Sequence, residues 1–247
     1  KKFEYYPLKS INPNDVLRNR VRAIKEDDAG RLWLGTFDGL IIFDTDSEYE
    51  IKIVKDHNNP YSISDNGITS IDADSHGNFW LGMYYGGISY FDKNFNIFKH
   101  YQYTGTSKGL SYNVISFITE SEDGKIWIAT DRGGLNLFDR KSQTFQFFNQ
   151  QDNPSGSASN HIMEIELGKK GNVWLGTLYG GVFSFDLKTK TFSPLNFNIN
   201  DPNDLGFKRI KGLKLDHKGN LWIAHALGLH YYDVNQRKTL KYASEIK

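Results

Sequence analysis

The sequence predicts an all-β fold built from five four-stranded antiparallel repeats of about 47 residues, and three observations carry that prediction. The five Trp of the 247-residue chain stand at Trp33, Trp80, Trp127, Trp174 and Trp222, so successive spacings are 47, 47, 47 and 48. Each lies in the same phrase, from Gly30-Arg31-Leu32-Trp33-Leu34-Gly35-Thr36 in the first repeat to Gly219-Asn220-Leu221-Trp222-Ile223-Ala224 in the fifth. No segment sustains a 3.6-residue apolar period, which rejects helical repeats of similar length.

Within a repeat, the first strand is marked by apolar residues twelve and nine positions before the Trp: Val21 and Ile24, Ile68 and Ile71, Ile115 and Ile118, Ile162 and Ile165, Ile210 and Leu213. A polar turn containing Gly follows, such as Asp74-Ser75-His76-Gly77, with the length and chemistry of a hairpin loop. The Trp strand comes next. Its small residue two places after the Trp (Gly35, Gly82, Ala129, Gly176, Ala224) points to close backbone approach by a neighbour. A second turn at Gly39, Gly86, Gly133, Gly180 and Gly228 leads into a third strand that closes on Asp44, Asp92, Asp139, Asp186 and Asp233. Those Asp residues are expected to form Asx turns ahead of the fourth strand.

Four antiparallel strands per repeat, with a Trp in the core, is the pattern of a β-propeller blade. A blade cannot bury its own two faces and must stack on the next, so the five Trp are read as inter-blade core. The expected boundaries are 13–59, 60–106, 107–153, 154–201 and 202–247. Residues 1–12 contain Phe3-Glu4-Tyr5-Tyr6-Pro7-Leu8, which matches the fourth-strand stretches Phe145-Gln146-Phe147-Phe148 and Phe192-Ser193-Pro194-Leu195. They are expected to be the fourth strand of a preceding blade. Six fourth strands for five blades favour five consecutive blades of a larger propeller, with a self-closed five-blade ring as the alternative.

Thirty Lys and Arg against 29 Asp and Glu give a net charge of +1, which lacks the footprint of a nucleic-acid binder or a polybasic membrane binder. The absence of Cys removes disulfides, thiolate metal sites and thiol nucleophiles together. The longest uninterrupted aliphatic or aromatic run, Leu40 to Phe43, is far short of the ~20 residues of a membrane span. Neither a metal nor any other cofactor is expected.

The repeats resemble the two-component regulator propeller repeat, whose core reads D-x-x-G-x-[LIV]-W-[LIV]-G-T, then Gly-Gly-[LIV], then [FY]-D. Blade four matches best, with Gly171-Asn172-Val173-Trp174-Leu175-Gly176-Thr177, Gly180-Gly181-Val182 and Phe185-Asp186. Blades one and five carry a single Gly at the second turn, and blade five has His225 in place of the Thr. The resemblance implies a seven-bladed propeller in the periplasmic sensor half of a hybrid two-component histidine kinase from Bacteroides-type bacteria. It also implies an oligosaccharide ligand and a signal passed through a homodimer to the rest of the receptor chain. No kinase, receiver or DNA-binding region lies in this sequence.

Comparing the five repeats with one another separates positions that serve the blade from positions left to vary. The residues three to five after each Trp vary strongly, and in a propeller these turns gather at one mouth of the central channel. Phe37, Tyr84, Tyr85 and Tyr179 offer faces for stacking on sugar rings, while Asp38, Asp131, Arg132 and His225 offer polar partners. The alternative for this group is solvated turn residues packed on neighbouring blades. Asn19, Asn66, Asn113 and Asn160 recur fourteen positions before the Trp, which points to a structural turn-capping role. Lys208-Arg209 break that pattern in blade five and, with Arg20 and Arg22 in blade one, form candidate basic sites for an acidic sugar.

No H-E-x-x-H spacing and no G-x-S-x-G elbow occurs, and Ser121-Glu122-Asp123-Gly124 misses the sialidase box by one residue. The segment is therefore expected not to be an enzyme. Two alternatives stay open: a protein-interaction scaffold, and a lyase resembling the streptogramin-inactivating propellers, for which Glu164 and His225 are the candidate pair.

Overall fold

The computed structural model describes residues 3, 5, 6, 8, 9, 14, 15, 20–149, 160–168, 171–195, 209–226, 228–236 and 238–242. Among the described residues, twenty strands form five four-stranded sheets, and in each sheet the strands lie side by side in chain order. The first holds β1 (Ala23–Glu26), β2 (Leu32–Thr36), β3 (Gly39–Phe43) and β4 (Glu50–Ile53). The second holds β5 (Ile68–Ala73), β6 (Phe79–Met83), β7 (Ile88–Asp92) and β8 (Ile97–Tyr101). The third holds β9 (Ile115–Glu120), β10 (Ile126–Thr130), β11 (Gly134–Asp139) and β12 (Thr144–Phe148). The fourth holds β13 (Ile162–Leu167), β14 (Asn172–Thr177), β15 (Val182–Asp186) and β16 (Thr191–Pro194). The fifth holds β17 (Ile210–Leu215), β18 (Leu221–His225), β19 (Gly228–Asp233) and β20 (Lys238–Tyr242). These are the all-β blades that the Trp spacing predicts. By compactness the chain divides into two units, residues 1–103 with 113–120 and residues 104–112 with 121–247.

The first turn of a blade is organised by one carboxylate. Asp74 accepts the backbone N–H groups of His76 (2.9 Å) and Asn78 (3.0 Å), and its other oxygen accepts the indole N–H of Trp80 at 2.9 Å. Asp27 does the same for Ala29, Arg31 and the indole of Trp33. Gly77 closes the turn onto the Asp74 carbonyl with φ 76°, a left-handed conformation that an L side chain resists. The D-x-x-G-x-x-W spacing is thus a single hydrogen-bonded device.

Blade stacking uses the small residue of the Trp strand. In the first compact unit, a Cβ on Gly35 would lie 2.6 Å from Ile68 Cγ2, and one on Gly82 would lie 2.6 Å from Ile115 Cγ2. The second unit repeats the arrangement at Gly176 and Ile210. Each first-strand Ile therefore plugs into the preceding blade beside its Trp. Trp33 stacks on Phe79 at 4.0 Å and 10°, whereas Trp127 and Trp174 meet Phe185 and Tyr232 nearly edge-on at 6.1 Å. Such contacts add about 0.5–1.5 kcal/mol each beyond their burial.

The Asp residues after the third strand make the expected turns: Asp44 accepts the N–H groups of Asp46 and Ser47, Asp139 those of Lys141 and Ser142, and Asp186 those of Lys188 and Thr189. These donors hold all three carboxyls below the usual carboxylate range.

Blade one differs from its sequence pattern in one respect. Its first strand starts at Ala23, after Val21, and Ile24 is 62% exposed, whereas the equivalent Ile71, Ile118, Ile165 and Leu213 are all buried. Among the described residues, nothing receives Ile24 as Gly35 receives Ile71. Of the segment expected as an additional fourth strand, residues 3, 5, 6, 8 and 9 are described and lie outside any strand. Tyr6 meets Phe43 at 5.7 Å, and Leu8 packs on the buried cluster of Leu34, Ile41 and Phe43.

Candidate functional site

The second turns are fixed from below, which leaves their tips to vary. Thr36, Thr130 and Thr177 donate through Oγ1 to the carbonyls of Gly39, Gly134 and Gly181 at 2.8–2.9 Å. The recurrent Asn holds the same turns from the next blade: its carbonyl accepts from Gly39 (Asn66), Gly87 (Asn113) and Gly134 (Asn160). Side-chain oxygens of Asn66 and Asn113 also accept from the backbone of Lys55 and Tyr103 at 2.6 Å. These Asn are structural. Asn19 and Lys208 lie outside the described residues, and Arg209 is described as exposed just ahead of β17.

In the first compact unit the candidate aromatics come together. Phe37 meets Tyr84 edge-on at 5.3 Å, and Tyr84 meets Tyr85 at 4.5 Å. Tyr84 is 40% exposed and Tyr85 69%. The guanidinium of Arg22 lies over the Phe37 ring at 4.8 Å, a cation–π contact on a half-buried ring. Gly67 makes the close packing possible, because a Cβ there would lie 3.0 Å from Tyr84 Cβ and 3.1 Å from the Phe37 ring. The main chain of Tyr84 donates to the Gly67 carbonyl, and that of Tyr85 to the Asp65 carboxylate at 2.9 Å. Asp38 is engaged by Lys52 at 2.5 Å, so its charge is answered within the blade. The result is a pre-set aromatic platform rimmed by Arg22 and an Asp–Lys pair.

In the second compact unit the same positions carry polar chemistry. Asp131 bridges to His161, and its carboxylate bonds the Nδ1 of His161. His161 stands thirteen residues before Trp174, as Gly67 does before Trp80, so Asp131 over His161 is the polar counterpart of Phe37 over Gly67. Tyr179 meets His161 edge-on at 5.7 Å and is 62% exposed. Arg132 is exposed, with its N–H on the Asn160 carbonyl. His161 was not distinguishable as a candidate by motif; only the register between successive blades singles it out.

His225 occupies the Thr position of blade five and is buried, with its Nε2 2.7 Å from Nδ1 of the equally buried His230. It replaces the Thr cap with an imidazole pair inside the blade. Glu164 lies on β13 beside Gly176, and burial pushes its carboxyl up to about 8, with Glu166 adding to the rise and Lys214 opposing it. It therefore holds its proton near neutral pH.

A cleft of about 330 Å³ opens at the other ends of these strands, between the first turns of blades one and two, over Trp33 and Phe79. Of the carboxylates that line it, Asp27 and Asp74 are occupied by their own turns and indoles. Among the described residues no group of three His, Asp or Glu is arranged to hold a metal ion.

Residues 15–38 and 109–132 match the family described as two component regulator propeller, and both stretches are repeats of that kind. No curated protein matches the chain. Among solved structures it is similar to the extracellular domain of the putative hybrid two component system BT3049 from B. thetaiotaomicron, with a TM-score of 0.79 and 23% identity over 90% of this chain and 30% of that one. This chain thus spans less than a third of that domain. It is also similar to virginiamycin B lyase from Staphylococcus aureus, with a TM-score of 0.66 and 16% identity over 92% of this chain and 71% of that one. A third similarity is to PorZ of Porphyromonas gingivalis, a bacterial surface component of the type-IX secretion system, with a TM-score of 0.66, 18% identity, and coverage of 91% and 34%. These likenesses establish the propeller-blade fold.

Proposed function

We infer that this chain is the ligand-recognition propeller of an extracytoplasmic sensor, that it binds an oligosaccharide, and that it does no chemistry on it. One observation carries the reading. The Phe37–Tyr84–Tyr85 platform presents two exposed tyrosines side by side on a turn whose main chain is held by the Gly67 carbonyl and the Asp65 carboxylate. Flat apolar faces beside charged groups suit a pyranose ring and its hydroxyls. The two component regulator propeller repeats, and the likeness to a putative hybrid two component system, support placing it outside the cytoplasm in a periplasmic receptor half. There it would signal through a homodimer to a histidine kinase, since a ligand acts only by binding one receptor arrangement better than another.

The five blades belong, on this reading, to a larger propeller, with residues 1–12 serving a preceding blade. Support comes from the sequence, in which six fourth-strand stretches stand against five blades.

A second reading, a propeller lyase, rests on Glu164, which keeps a proton at neutral pH as a general acid requires. Calorimetric titration of the protein with neutral and acidic oligosaccharides, alongside Tyr85→Ala and a search for new reducing or unsaturated ends, tests both. The sensor reading expects saturable binding that Tyr85→Ala weakens about tenfold, with the sugar recovered intact. New chain ends, or binding indifferent to Tyr85, would overturn it.

A further inference from the structure

Five non-glycine residues of the described chain have positive φ, and four of them are one feature repeated. Glu48, Asn96, Gln143 and Lys190 all sit at φ 54–55° in the turn between the third and fourth strands of blades one to four. The fifth, Arg132, stands apart at φ 96°, at the tip of the second turn of blade three. That value lies beyond the left-handed well open to side chains and in territory that glycine occupies freely. Holding an arginine there costs on the order of 1–3 kcal/mol.

Among the described residues, no contact of the blade asks for the side chain. Arg132 is exposed, and the contact that fixes it, its N–H on the Asn160 carbonyl, any residue but proline supplies. Its guanidinium makes no ion pair among the described residues. The neighbouring Asp131, its nearest carboxylate in sequence, is already bonded to His161. A glycine would satisfy the turn better, so a strained, exposed cation with no ion pair among the described residues points to a ligand-binding role. Beside it in the same compact unit stand an imidazole and the 62% exposed ring of Tyr179.

We propose that the Asp131–Arg132 turn, with His161 and Tyr179, is a subsite for an acidic sugar: the ring lies on Tyr179 and its oxyanion, a carboxylate or a sulfate ester, is met by the Arg132 guanidinium. Arg132 forms the charge-assisted, fork-shaped contact that suits such a group. Asp131 is a positioning residue that orients His161 rather than repelling the ligand. This assignment rests on the sensor reading and narrows it from oligosaccharides in general to anionic ones.

The test compares the protein with its Arg132→Gly and Arg132→Lys variants in titrations with digalacturonate, a sulfated disaccharide, cellobiose and sodium sulfate. Arg132→Gly is chosen because it should raise the melting temperature by a few degrees, so weaker binding cannot be ascribed to misfolding. The expected result is that one or both acidic disaccharides bind at least tenfold more tightly than cellobiose, and that Arg132→Gly removes this advantage while Arg132→Lys restores part of it. Which acidic disaccharide responds identifies carboxylate or sulfate. If sugars bind but Arg132→Gly leaves the acidic ones unaffected, or lowers the melting temperature, this subsite is wrong and the sensor reading stands. Equal affinity for free sulfate and the disaccharides overturns the sugar part. If no sugar binds, both readings fall together.

Discussion

The indole N–H of Trp80 donates to the carboxylate of Asp74 at 2.9 Å, six residues upstream, and the same carboxylate closes the turn between them. One side chain thus couples the hairpin that starts the blade to the Trp that buries its face. Both partners are buried, so removing the acceptor leaves an indole and turn amides unsatisfied in a dry site. Replacing Asp74 by Ala is expected to lower stability by about 2–4 kcal/mol, measurable as a drop in the urea midpoint. A loss under about 0.5 kcal/mol would show that the bond is incidental.

Blade stacking makes a steric prediction. Gly35→Ala places a methyl 2.6 Å from Ile68 Cγ2 and 3.1 Å from its Cβ, the branch point of a side chain that is stiff at χ1 and has little room to yield. The expected cost is about 1–3 kcal/mol. Combining it with Ile68→Ala, which removes the Cγ2 that the new methyl would strike, should cost less in thermal melts than the sum of the two single changes.

Glu164 gives the protein a pH dependence of defined sign. Its folded carboxyl titrates near 8 against an ordinary 4.5, so the folded state holds the proton more tightly than the unfolded chain. The stability linked to this group is fully present below about pH 4.5, falls as the pH rises towards 8, and is level above. Glu164→Gln should flatten the melting temperature between pH 5 and 8 and stabilise the protein at pH 8 by roughly 1–3 kcal/mol, the pKa difference being discounted for partial exposure.

His100 acts in the opposite direction. Burial holds its pKa below the ordinary 6.5, against hydrogen bonds to the Pro60 and Ser62 backbone that favour the proton. Its contribution is present above pH 6.5 and is lost as the pH falls through the lowered value. His100→Gln, which keeps an acceptor for Ser89, should reduce the loss of stability between pH 6.5 and 5 that is expected in melts of the parent.

The blade architecture was legible in the sequence because the five Trp repeat at a near-constant spacing and the Gly, Asp and Asn around them each perform a backbone task that only a few residue types can perform. Asp74 could be placed in a turn, but its bond to Trp80 follows from side-chain geometry rather than spacing. The exposure of Ile24 was not legible, since burial depends on what lies opposite and the residue itself is the same Ile as in its buried equivalents. At the candidate site, variation among repeats pointed to Phe37, Tyr84 and Tyr85, which do converge. It also pointed to His225, which is buried against His230, because a substitution at a cap looks like a substitution at a tip. His161 and the strain at Arg132 belong to register and dihedral angle, and neither leaves a mark in composition.

The second turns are the expected ligand-binding face, and hydrogen exchange with and without a saturating oligosaccharide locates that face on the chain. Slowed exchange at residues 37–39 and 84–87, with the first turn at 74–77 unchanged, is the predicted result. Protection centred on the first turns over Trp33 and Phe79, or no protection in either place when binding is saturated, would place the ligand elsewhere.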